Sequence, residues 1–173
     1  MLAATVFVRQ HAPMPRKVHV QLTPGSRGAI PAAELRRVAS TVLDAEEVAP
    51  AVEVEVVLAD EAAVRDLNRL YRGRDEPADV LSFAAMGGEA FLAAPDEAPS
   101  LGEVVICLPL ARAQASDAGR AVAGELAHLL THGLLHLLGY DHEEDEAESE
   151  RMKAREDELL TSLGYAGQYA HGH

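Results

Sequence analysis

Val18, Val20 and Leu22 alternate with His19 and Gln21, and this period of two predicts a strand over 17–23. Val52, Val54 and Val56 alternate with Glu53 and Glu55 in the same way, so 51–58 is the clearest strand of the chain. Shorter apolar runs predict strands over 79–83 and 102–107. Between them the period lengthens. After Pro31, Leu35, Val38, Val42 and Leu43 recur at helical spacing. Asp60 is a good N-cap for a helix whose apolar residues are Val64, Leu67, Leu70 and Tyr71. Three more helices follow, over 109–118, 122–138 and 144–163. The second has an apolar stripe from Val122 through Leu126, Leu129, Leu130 and Leu134 to Leu137, and Gly139 ends it. The third turns Met152, Leu159 and Leu163 inward. Residues 73–78 and 87–100 read as loops.

The order β-α-β-α-β-β-α-α-α points to a single α/β (α+β) domain: a mixed four-stranded sheet packed with about five helices. The 173 residues suit one domain, with no repeat and no linker long enough to divide them. Residues 1–15 are expected to be a disordered leader, 16–166 the domain and 167–173 a tail, His171 and His173 included. With 4% aromatics and no Trp, the core must rest on Leu, Val and Ala. A net charge of −13 argues against binding nucleic acid over the whole surface, though it leaves room for a local basic patch. Arg65, Arg69, Arg72 and Arg74 form one, unless they are a solvated face paired with Asp66, Asp75 and Glu76. Cys107 is alone and ends an apolar run, so it reads as a buried structural thiol in a cytoplasmic protein. No run of residues is apolar enough for a membrane helix.

The segment 132–142, HGLLHLLGYDH, carries the chemistry. His132 and His136 lie one turn apart on a helix face, where two imidazoles can reach one ion. Gly139 turns the chain back, and His142 can close a third side. The metal site would then sit at the end of the central helix. Three histidines that leave a position open are the pattern of a catalytic zinc site. Nickel, cobalt or iron could also occupy it. His128, four residues earlier, could pair with His132, but a supporting or solvated role suits it better. Asp141 is a base, a cap for the turn or a support that orients a ligand histidine. The spacing also matches metzincin proteases, whose H-E-x-x-H places a glutamate base where this chain has Gly133.

HGLLHLLGYDH also resembles the signature of the YbeY family, bacterial endoribonucleases of ribosomal RNA maturation. LNRLYRGRDEPADVLSF (67–83), LGEVVIC (101–107), ELAHLLTHG (125–133) and the helix ending LLTSLGY are similar to further motifs of that family. Ala78 and Ala84 depart from it, standing where Thr and Pro are frequent. The resemblance implies a zinc-dependent endoribonuclease specific for single strands. It would act in 3′-end maturation of small-subunit (16S) ribosomal RNA and in ribosome quality control. His132, His136 and His142 match the zinc ligands and Arg72 an arginine of the active site, while Arg65, Arg69 and Arg74 become candidate RNA contacts. Implied partners are ribosomal RNA, small-subunit proteins and an assembly GTPase, in the cytoplasm. Two other readings remain: an assembly factor with a mainly structural zinc, and a metzincin-like protease.

Overall fold

The computed structural model describes residues 16–26, 28–85, 98–141, 143 and 145–169. The expected leader, most of the expected tail, much of the 87–100 loop and His142 lie outside these. The elements follow the expected order: β1 (Val18–Leu22), α1 (Ala32–Ala45), β2 (Glu53–Ala59), α2 (Glu61–Arg72), β3 (Val80–Ala84), β4 (Ser100–Cys107), α3 (Leu108–Asp117), α4 (Val122–Leu137) and α5 (Glu146–Ser162). The strands form one mixed sheet in the order β1-β2-β4-β3. β1, β2 and β4 run parallel, and β3 lies antiparallel to β4 at the edge.

Each helix packs through the face its sequence provides. Leu35, Val38, Val42 and Leu43 of α1 share one buried core with Val54, Val56 and Leu58 of β2, and α1 packs against β1 and α4. Burying a side chain of this size contributes roughly 1.5–3 kcal/mol. α4 is the hub: it touches α1, α3, α5, β3 and β4, and it is apolar on nearly all sides, as a helix surrounded by partners must be. The opposite sheet face is smaller, with Leu81, Val105 and Cys107 under Val64 of α2. Cys107 is buried, and burial raises its thiol pKa, so it is a structural thiol as expected. The rest of that face carries polar pairs between β1 and β2, His19 with Glu53 and Gln21 with Glu55. No helix among the described residues is long and apolar enough to cross a membrane.

α2 departs from expectation. Asp60 caps it, accepting from the Ala63 amide at 2.8 Å, and Val64 is buried as predicted. Leu70 and Tyr71 are not inward: they are 73% and 64% exposed. Asn68 is buried instead, and its side-chain amide donates to the Glu76 carbonyl at 2.7 Å, fastening the loop that follows. α2 packs on β4 and α3, and the small apolar cluster beneath it takes Val64 and part of Leu67 but leaves Leu70 and Tyr71 of the last turn outside. At the other end of the chain, Tyr169 falls within the expected tail yet is buried in the main core. Its neighbour Gln168 packs so closely on Gly124 of α4 that a Cβ there would lie 2.1 Å from the Gln168 carbonyl oxygen.

Candidate active site

α4 brings His132 and His136 together by helical repeat alone. Their Nε2 atoms stand 3.0 Å apart on the wall of a cavity of about 720 Å³. Two nitrogens bound to one tetrahedral zinc at about 2.0–2.1 Å would be roughly 3.3 Å apart, so this pair fits an ion with little movement. Gly139, at φ 94°, adopts the left-handed conformation that ends α4 and starts the return of the chain. His142, the third expected ligand, lies outside the described residues. Asp141 accepts a hydrogen bond from the Glu143 amide at 2.9 Å, so it caps that turn.

His132 is held from behind. Its Nδ1 donates to Glu156 Oε1 of α5 at 2.5 Å, which leaves the Nε2 lone pair turned toward His136. The other oxygen of Glu156 meets His128 Nε2 at 3.3 Å, and His128 Nδ1 lies 3.7 Å from Glu125. His128 is buried, which excludes the solvated role, and the Tyr169 ring stacks on it at 4.9 Å. Burial opposes the charged form of His128, but the carboxylates of Glu125 and Glu156 outweigh it and raise its pKa to about 9. Burial would likewise raise the pKa of Glu156, yet the bonds from His128 and His132 hold it down to about 2. The pair is therefore ionised at neutral pH. Once His128 gives up its proton, His128, His132 and Glu156 offer three ligand atoms within 4.8 Å of one another, so this cluster can hold a metal ion.

Gly133 has a packing reason. Its carbonyl accepts from the Ser82 hydroxyl of β3 at 3.0 Å. A Cβ at Gly133 would meet Val104 Cγ1 at 2.6 Å and Ser82 Oγ at 3.0 Å. The helix is pressed against the sheet here, and the glutamate base of a metzincin has no room at this position. Ser82 and Ala84 line the same cavity from β3.

Of the four arginines singled out, Arg72 lines the cavity. Arg65 forms a two-pronged pair with Asp75 at 2.9 Å, and Arg69 pairs with Asp66 at 3.0 Å, away from the cavity wall. Among the described residues, the Arg72 and Arg74 side chains have no hydrogen-bond or ion-pair partner. Sequence reasoning missed Glu156, Glu125 and Ser82. One signal did exist: Glu156 interrupts the inward stripe of Met152, Leu159 and Leu163, where a charge requires a buried partner.

Fold and site together define an α/β scaffold with a histidine–carboxylate cluster able to hold a metal ion on the wall of an open cavity. Residues 26–164 match the family model described as Endoribonuclease YbeY, and the chain belongs to that family of RNA-cleaving hydrolases. It is 42% identical over 150 residues to the endoribonuclease YbeY of Roseiflexus sp. (strain RS-1), covering 86% of this chain and 94% of the relative. It is 47% identical over 129 residues to that of Pelotomaculum thermopropionicum, covering 75% and 84%. The solution structure of TM1509 from Thermotoga maritima matches with a TM-score of 0.54 at 25% identity, over 85% of this chain and 91% of that one.

Proposed function

We propose that this protein is a zinc-dependent endoribonuclease that cuts single-stranded RNA in the 3′-end maturation of 16S ribosomal RNA and in ribosome quality control. The observation that carries the reading is the His132–His136 pair on the wall of the cavity that Arg72 also lines. His132, His136 and His142 would hold the ion. A zinc ion bound there supplies a Lewis acid for a phosphate oxygen and lowers the pKa of a water. The protein's own part is positioning. Glu156 fixes the tautomer and direction of His132, and Ser82 anchors the turn of α4 that carries it. Arg72 offers a planar guanidinium fork to the phosphate and to the charge that develops on it during cleavage. Arg74 adds a second cation to the same strand, while Arg65 and Arg69 would contact RNA only by releasing Asp75 and Asp66. The partners that follow are ribosomal RNA, small-subunit proteins and an assembly GTPase, in the cytoplasm.

The test is cleavage of a labelled precursor of the small-subunit ribosomal RNA 3′ end by wild type and by folded His136→Ala. Wild type is expected to cut and the variant to be at least a hundredfold slower, an order of magnitude typical for loss of a central electrostatic element. Equal cutting by both would overturn the metal assignment. Cutting by neither, even with ribosomal subunits added, would favour an assembly role in which zinc only orders the helix and turn.

A further inference from the structure

Leu70 and Tyr71 are the exposed large apolar side chains among the described residues, and they sit side by side at the end of α2. Tyr71 differs from the other tyrosines. The hydroxyls of Tyr140, Tyr165 and Tyr169 each donate to a carboxylate, of Glu46, Glu34 and Asp157 respectively. The Tyr71 hydroxyl has no hydrogen-bond partner among the described residues. Its ring instead rests on Phe83 of β3, with centroids 5.2 Å apart and planes tilted by 58°. One side of the ring is thus supported, and most of the residue faces water.

The surroundings indicate what such a ring would meet. The next residue, Arg72, lines the cavity that His132 and His136 line. Gly73, at φ 69°, ends the helix, and Arg74 follows. In a chain with 28 acidic and 15 basic residues, two neighbouring arginines without a carboxylate partner among the described residues are suited to a polyanion. β3 is the edge strand between ring and cavity: Phe83 supports Tyr71 on one sheet face, Ser82 and Ala84 line the cavity on the other, and Arg72 reaches the cavity from the end of α2. An exposed aromatic face beside unpaired guanidinium groups is the chemistry that holds unpaired nucleic acid: the base stacks and the phosphates are clamped. Stacking is also the contribution that a net charge of −13 does not oppose.

We infer that Tyr71, propped on Phe83, is a stacking platform for one unpaired base of the RNA strand whose phosphates Arg72 and Arg74 hold. The inference rests on the ribonuclease reading above and deepens it, since a duplex, with its bases stacked on one another, cannot use the platform. It makes Tyr71 a binding residue that contributes to single-strand preference.

Fluorescence anisotropy with a labelled single-stranded oligoribonucleotide, and with the same sequence as a duplex, tests this on wild type, Tyr71→Ala, Tyr71→Leu and Tyr71→Phe. Tyr71→Ala and Tyr71→Leu should bind the single strand roughly tenfold more weakly, with Tyr71→Phe close to wild type. Duplex binding should change less than twofold, and in cleavage assays the loss should appear in KM rather than kcat. Wild-type affinity in Tyr71→Ala, full affinity in Tyr71→Leu, or equal losses on both RNAs would overturn the platform. Such outcomes would leave the ribonuclease reading intact. If wild type neither binds nor cuts RNA, that reading fails and the platform with it.

Discussion

At the scale of single residues, the site depends on one carboxylate. Glu156 is almost fully enclosed, yet it satisfies two imidazoles at once, one from each oxygen. A buried carboxylate is tolerated only when its lone pairs are taken up in this way. Its orienting effect on His132 can be measured separately from catalysis. Glu156→Gln keeps the shape but loses the charge and can present an N–H where His132 needs an acceptor. Zinc affinity, measured by competition with a chromophoric chelator, should fall by about 10–100-fold. An unchanged affinity would mean that His132 is positioned by something else. The histidine spacing was legible in the sequence because a helix repeats locally. The partner of His132 was not, because α5 reaches α4 through packing that no local period encodes.

At the scale of elements, helices are joined by a few polar ties laid over apolar contacts. Glu34 of α1 accepts from Arg37 at 2.6 Å and from the hydroxyl of Tyr165, just beyond α5, at 2.7 Å. The Arg37 bond holds the Glu34 carboxyl below its ordinary value of 4.5, burial works in the opposite direction, and Tyr165 adds to the lowering. A carboxylate with a lowered folded pKa contributes stability that is fully present above the unfolded value and is lost as pH falls below it. Wild type should therefore lose more urea stability between pH 6 and about pH 3.5 than Glu34→Gln does, by an amount both unfolding curves can resolve. Parallel losses would show that the tie contributes nothing.

The elements themselves were largely legible: α1 and β2 follow their periods, and Asp60 and Gly139 mark ends where expected. The last turn of α2 was misread because spacing gives a face but does not reveal whether anything lies opposite it. Sheet order was also hidden, since it is decided by pairings between strands far apart in sequence, such as β2 with β4.

At the scale of the whole molecule, charge and site work against each other. A surface of net charge −13 repels RNA at a distance, so productive binding must be local. If Arg72 and Arg74 are the main phosphate contacts, two neutralised charges on a single strand give a log–log salt slope of about −1.4. Affinity for an unpaired oligonucleotide should then fall only about sevenfold between 50 and 200 mM salt. A slope steeper than about −3 would point to a broader basic surface, with Arg65 and Arg69 released from their partners.

The same scale gives β3 a further significance. Its alternate side chains serve opposite sheet faces: Ser82 turns to the glycine of α4, while Phe83 turns to the ring of Tyr71. A slip of one residue along β4 would exchange them, taking the hydroxyl from Gly133 and pushing a phenyl ring toward the histidines. Such a slipped chain would keep its helices, its sheet and nearly all of its circular dichroism, yet be inactive. Leu81 of the same strand is 1% exposed and would be carried out of its cluster by that slip, so the burial that fixes the register of β3 also fixes which molecules are able to work.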